Sequence, residues 1–173
     1  MRSLVLFVAT SLDGFIATEN GNTDWLFDDQ DYGFMPFYFS VDTLLMGYTT
    51  YINLIEEGEP YPYPSKNAFI FTKRHQKLDD NPVTFTSKDP VKFLQKLKAA
   101  PGADIWLVGG CSLNSLFLSE GLIDKIIMSV HPVFLGKGIP IFNEEIPISA
   151  FELESSKNYN SGLVQVVLRK MIG

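Results

Sequence analysis

The sequence predicts a three-layer α/β fold in which a mostly parallel central sheet closes in an antiparallel strand pair. Three observations lead there. Short apolar runs alternate with helical patterns through the first two-thirds of the chain, which is the order of successive βα units. The run Ile105-Trp106-Leu107-Val108 passes straight into Gly109-Gly110 and then a helical stretch, and a glycine pair at such a junction lets the backbone approach something bulky. Residues 151–155 and 163–170 read as a closing pair of strands around residues 158–162.

Residues 4–9 form the first apolar strand. Residues 10–24, rich in Gly, Asn, Asp and Thr, read as a long loop, and a loop of that length inside a domain is often a functional lid. Residues 28–40 carry a helical pattern that Pro36 must kink or restart. A short strand at 43–46 leads into a helix at 49–55, and alternating Tyr and Pro keep 56–64 extended. Strands follow at 67–71 and 83–85. Asp89-Pro90 caps the next helix, with proline at its favoured first position, and Phe93, Leu94 and Leu97 line its inner face. The glycine pair opens a helix at 112–119, followed by a strand at 123–130.

Composition removes several functions. At 173 residues the chain fits one domain, 1–173. A net charge of −6 argues against a nucleic-acid surface, which calls for a basic patch. No apolar run nears the ~18 residues of a membrane span. Met1-Arg2-Ser3 before an apolar run has the look of a signal peptide, but the run is too short and residues 10–14 offer no cleavage site. A lone cysteine permits no intramolecular disulfide and fits the cytoplasm. His75, His131 and Cys111 lack metal-ligand spacing, so no metal is expected. The partner left is a small molecule.

Three βα junctions fall on one edge of such a sheet, where open α/β folds bind ligands. They are Gly47-Tyr48-Thr49-Thr50, Thr72-Lys73-Arg74, and Gly109-Gly110 with Ser112 and Leu113 beyond. Glycine permits close approach, and a helix N-terminus suits a phosphate. Together the junctions are fit to hold the ends and the pyrophosphate of a nicotinamide dinucleotide, although no Gly-x-Gly-x-x-Gly fingerprint occurs. Lys73 and Arg74 are the charged donors for a 2′-phosphate, which makes NADPH the expected cofactor and NADH the alternative. Asp28, Asp29 and Asp31 are acids near a helix start, a position that the helix dipole favours whatever their chemistry.

Ser11-Leu12-Asp13-Gly14-Phe15-Ile16-Ala17, Met46–Tyr51, Val108-Gly109-Gly110, Gly121-Leu122-Ile123-Asp124 and Pro132-Val133-Phe134-Leu135-Gly136-Lys137-Gly138 resemble the reductase domain of bacterial riboflavin synthesis, which shares the dihydrofolate reductase-like fold. The resemblance implies an NAD(P)H-dependent reductase that delivers hydride to a small heterocycle, and a homodimer. It places the nicotinamide near Ala9 and Ile16 and the rest of the cofactor at the three junctions, Val108 included. A tryptophan–acid–glycine spacing similar to that of dihydrofolate reductases puts Trp25 on the lid and offers Asp31 as the carboxylate that serves the substrate nitrogen, with Asp28 and Asp29 as rivals. Phe7, Trp25, Asp31 and Met35 would face the substrate. Asp13-Gly14 reads as a turn-former with an architectural role.

The resemblance also has limits. The helix at 28–40 holds no Lys or Arg for a ribose phosphate, and only Lys66 is placed to meet a folate carboxylate. Dihydrofolate reductase itself and a non-catalytic nucleotide-binding relative are the alternatives.

Overall fold

The computed structural model describes residues 1–55, 60–73, 83–143 and 145–171. Its strands are β1 (Leu4–Thr10), β2 (Phe15–Ala17), β3 (Val41–Gly47), β4 (Asn67–Phe71), β5 (Val83–Thr86), β6 (Asp104–Gly109), β7 (Lys125–Val130), β8 (Ile139–Pro140), β9 (Phe151–Asn158) and β10 (Val164–Lys170). The helices are α1 (Phe34–Ser40), α2 (Tyr48–Ile55), α3 (Pro90–Ala99) and α4 (Cys111–Ser119). Eight strands form one sheet in the order β5-β4-β3-β6-β1-β7-β10-β9. The pairings from β5 to β7 are parallel, and β10 runs antiparallel to both β7 and β9. This is the expected mostly parallel sheet with an antiparallel closing pair.

Both faces of the parallel part are covered, so its strands are apolar without alternation. Leu4, Leu6, Leu45, Ile105 and Leu107 face one layer with Leu94 of α3 and Leu113, Phe117 and Leu118 of α4. Val5, Leu44, Met46 and Trp106 face the other, with Phe37 of α1 and Tyr51 of α2. Connections from β1 and β3 lead towards β5, whereas the connection from β6 leads towards β7. The direction of winding therefore reverses at the end of β6, the crevice where such sheets take ligands.

Two elements depart from the sequence reading. The helix expected from residue 28 begins at Phe34, because Tyr32 and Gly33 both lie at positive φ (49° and 78°) and break the helical path. Pro36 then falls in the first turn, where its missing N–H costs nothing. The 10–24 loop contains β2, too short to stand out in a Gly- and Asn-rich stretch, which pairs with β8 in a separate two-stranded sheet. Asp89 caps α3 as expected, its carboxylate accepting from Lys92 N.

Phe117 is fully buried between α4 and the sheet. Phe117→Ala is expected to destabilise the protein by about 3–5 kcal/mol, read as a lower urea midpoint with an unchanged m-value.

Candidate active site

The carboxyl ends of β1, β3, β4 and β6 bring the predicted junctions together. Gly47 closes β3, α2 starts at Tyr48, and Met46 pairs with Gly109 in register. A Cβ on Gly47 would lie 4.0 Å from the Gly109 carbonyl. Gly109 sits at φ +110, and the Gly109–Gly110 peptide is cis. A Cβ on Gly110 would stand 3.1 Å from Thr50 Oγ1, so the first and third junctions meet through a hydroxyl against bare backbone. Gly110 caps α4, whose first exposed residue is Ser112; Leu113 faces the core. Val108 is half-buried on the α1–α2 side of the sheet, and Tyr48 packs on that side too. Thr72 N donates to Thr86 O, tying the ends of β4 and β5, and Lys73 is exposed beside it. Arg74 lies outside the described residues, as does His75.

The signature loops after β1 and β7 interlock. Asp13 accepts from Ser11 Oγ (2.7 Å), Leu135 N (3.1 Å) and Gly136 N (2.7 Å). Those donors hold its carboxyl below the ordinary value, the Ser11 hydroxyl foremost. Leu12 N donates to Val133 O, and Ser11 Oγ in turn accepts from Phe15 N. The clamp fixes the path into β2, which carries Ile16 and follows the half-buried Ala9. At the far end of the same segment, Asn114 Nδ2 donates to Ile141 O (3.0 Å) and Asn143 N donates to Ser115 Oγ (2.7 Å). Cys111 Sγ donates to Asn143 Oδ1, and burial pushes the thiol up. The segment from residue 131 to 143 thus reaches both the loop after β1 and the start of α4.

The substrate candidates divide. Phe7 stacks on Phe37 (centroids 4.5 Å apart) and meets Phe34 and Trp106 edge-on, in an aromatic wall that continues through Tyr38 and Tyr63. Trp25 stands edge-to-face with His131 (5.4 Å, 86°). Met35 is exposed on α1. Asp31 is exposed and accepts from Met35 N (2.9 Å), capping α1. Asp29 accepts from the Tyr32 hydroxyl, which holds its carboxyl below the usual range. Asp28 is exposed. Lys66, the candidate for a folate carboxylate, donates to Tyr38 O and Val41 O at 2.7 Å each and lies over the Tyr38 ring. It closes the C-terminus of α1 instead, where a cation suits the orphan carbonyls.

His131, which lacks metal-ligand spacing in the sequence, is deeply buried under Trp25 and Phe27 of the loop ahead of α1. It is 2% exposed, and neither ring nitrogen makes a hydrogen bond of good geometry, although the Ser129 and Thr10 backbone groups lie beside the ring. Burial lowers its pKa from 6.5, opposed by the Ser129 and Thr10 backbone. A lone histidine before proline carries no spacing signal in sequence.

A hollow of about 550 Å³ lies at the opposite edge of the sheet, lined by Ser3, Asp104, Asp124, Lys125 and Arg169. Its charges are spent on the scaffold. Asp124 pairs with Lys98, Lys125 and Arg169 pair with Glu154, and Asp104 accepts from Ser3 N. Among the described residues no cluster of three or more His, Cys, Asp or Glu side chains converges on a metal site, and no helix is long and apolar enough to cross a membrane.

Known proteins share this fold. The family model described as the RibD C-terminal domain matches residues 2–165. The Bacillus subtilis protein YwjB, itself uncharacterised, is 36% identical over 165 residues, covering 94% of this chain and 95% of its own. The crystal structure of a riboflavin-biosynthesis-like protein from Shewanella sp. PV-4 superposes with a TM-score of 0.88 at 27% identity, over 99% of this chain and all of that one. The Thermotoga maritima deaminase/5-amino-6-(5-phosphoribosylamino)uracil reductase shares the fold at 17% identity (TM-score 0.75), covering 98% of this chain and 57% of that longer one.

Asp13→Asn is expected to lower stability at neutral pH and to speed hydrogen exchange at the Leu135 and Gly136 amides. Because the folded pKa lies below the unfolded value of 3.8, the clamp is complete above that value and is lost as pH falls through the folded pKa. The stability gap between wild type and variant should therefore close on acidification. A gap that is constant with pH would assign the loss to packing.

Proposed function

The chain belongs to the RibD C-terminal domain family, a reductase family, and from that premise we propose that it is an NADPH-dependent reductase of a small uncharged heterocycle. The observation that carries the reading is the meeting of Gly47, Thr50 and Gly109-Gly110 at the point where the winding of the sheet reverses. Side chains at the glycines would fill this cradle, and the N–H groups at the start of α4 border it, a combination suited to a pyrophosphate.

In this reading Thr50 and Ser112 bind phosphate oxygens, and the Gly109-Gly110 backbone lies along the pyrophosphate. Tyr48 covers the adenine, and Lys73 favours the 2′-phosphate that separates NADPH from NADH. Backbone groups at Ala9 and Ile16, set by the Asp13 clamp, orient the nicotinamide carboxamide. When bound, the cofactor supplies a hydride. Trp25 and its loop exclude water. Asp31 orders the water that protonates the substrate nitrogen, its carboxylate anchored by Met35 N. An uncharged substrate follows from the aromatic wall and from Lys66, the cation beside it, whose ammonium is already engaged.

Titration with NADPH and NADH, followed by tryptophan fluorescence, tests the cofactor. Micromolar NADPH binding is expected, weakened at least about a hundredfold in Gly110→Val, since a branched side chain would press on Thr50 and occupy the cradle. Equal affinity in a folded Gly110→Val would remove the site. Asp31→Asn separates capping from acid chemistry, because asparagine caps as well as aspartate. It is expected to keep thermal stability and NADPH affinity while lowering kcat about tenfold or more, on any substrate that the wild type turns over; unchanged kcat would reassign the acid.

A further inference from the structure

Tyr32 adopts a backbone conformation that a tyrosine avoids. It lies at φ 49°, beside Gly33 at φ 78°, and a bulky side chain in the left-handed region is an outlier. Glycine at 32 would turn the chain without that cost, as it does at 33. Residues held this way persist only where their surroundings over-determine them, and they cluster at functional sites.

The surroundings here are the β9–β10 hairpin. The Tyr32 ring stands edge-on to Tyr159 (4.8 Å, 70°), over which Lys157 Nζ lies at 4.4 Å. The Tyr32 hydroxyl donates to the Asp29 carboxylate and meets Ser161 Oγ at 2.8 Å. The Tyr32 carbonyl accepts from Gln165 Nε2 (2.9 Å), a buried amide that also donates to Ser129 Oγ on β7. The hairpin turn is closed in its own right, by Tyr159 N on Leu163 O and Gly162 N on Tyr159 O. One residue is thus tied to the sheet at ring, hydroxyl and backbone, and glycine would keep only the last. The residue before it is Asp31, whose carboxylate accepts from Met35 N and whose carbonyl accepts from Phe34 N. Asp31 is exposed and belongs to no strand or helix, and these bonds of its own reach only α1. A site residue on such a stretch is held to the needed precision only if its neighbours are locked.

We infer that Tyr32 is a positioning residue, through which the β9–β10 hairpin holds the Asp31 carboxylate at the head of α1. At the left-handed turn two adjacent side chains part: Tyr32 reaches the hairpin, and Asp31 reaches the first turn of α1. The hairpin then fixes where the carboxylate stands relative to the sheet, which a cap bond to α1 alone does not. Precision of this kind matters for a group that orders a water, since a misplacement of about 1 Å can cost about a hundredfold in rate. The inference rests on the reductase reading, which gives Asp31 that task, and adds the part of the fold that makes the task possible.

Hydrogen exchange and carbon-13 spectra of the ligand-free protein read the placement directly. In Tyr32→Phe, which keeps the ring on Tyr159, the Met35 amide is expected to exchange at least about tenfold faster, while the Leu45 and Leu107 amides of the core strands keep their rates. The carboxyl-carbon signal of Asp31, assigned by its loss in Asp31→Asn, should move in the same variant. Ser161→Ala should move both signals in the same direction, and in the Tyr32→Phe background it should add nothing, because the contact is already gone. Unchanged Met35 exchange, or an unmoved Asp31 signal, overturns the inference. Equal acceleration at Met35, Leu45 and Leu107 also overturns it, by assigning the hydroxyl to overall stability. If Tyr32→Phe does not fold, Ser161→Ala decides by the same two signals. NADPH titration of the wild type is a separate arm. Failure to bind NADPH refutes the reductase reading, whereas NADPH binding with an Asp31 signal indifferent to Tyr32→Phe refutes only the positioning role.

Discussion

One carboxylate holds the two signature loops in register. Asp13 gathers a hydroxyl and two backbone N–H groups, and hydrogen bonds to an ionised acceptor are about twice as strong as neutral ones. The chain path beyond the end of the first strand depends on this. The clamp sets the turn that leads into β2, and β2 can pair with β8 only if the chain leaves β7 along the path fixed at Leu135 and Gly136. The close fit confirms how little slack remains: a Cβ on Gly138 would fall 2.2 Å from Ala17 O. The Asp-Gly and Leu-Gly-Lys-Gly motifs, far apart in sequence, are two halves of one structural device.

The two edges of the sheet are built differently. At the amino edge, polar groups are matched: Arg2 pairs with Asp42 and also reaches Thr43 and Ala103 O, and Asp124 takes both Lys98 and Leu4 N. Trp25 Nε1, Asn114 Oδ1 and both His131 nitrogens are buried without a well-formed hydrogen bond near the carboxyl ends, as are Trp106 Nε1 and Tyr61 Oη in the aromatic layer on the α1–α2 side. Pairing at the amino edge offsets the cost of burying charge and fixes strand ends.

Much of this was legible in the sequence, for physical reasons that can be named. A sheet covered on both faces writes itself as continuous apolar runs, so β1, β3, β4 and β6 stood out, and Gly109-Gly110 marked the junction where backbone must come close. What the sequence hid was decided by tertiary context. Positive φ at Tyr32 and Gly33 cut α1 short, and no propensity announces a left-handed tyrosine. Lys66 looked available for a carboxylate, but its ammonium reaches the last carbonyls of α1 across more than twenty intervening residues. The burial of His131 was not legible either, since the rings of Trp25 and Phe27 that cover it come from the loop ahead of α1.

The segment from residue 131 to 143 links these sites. Its first residue is the buried imidazole, its middle is held by Asp13, and its end is pinned to α4 by Asn114 and Ser115. Asn114 also lies against the glycine turn, its Oδ1 placed 3.2 Å from where a Gly109 Cβ would be. A displacement at the histidine end is therefore resisted at the glycine end by hydrogen bonds rather than by loop stiffness. The histidine end and the glycine end, joined by one such strap, cannot relax separately, and any coupling between ligands bound at the two ends has to be reciprocal.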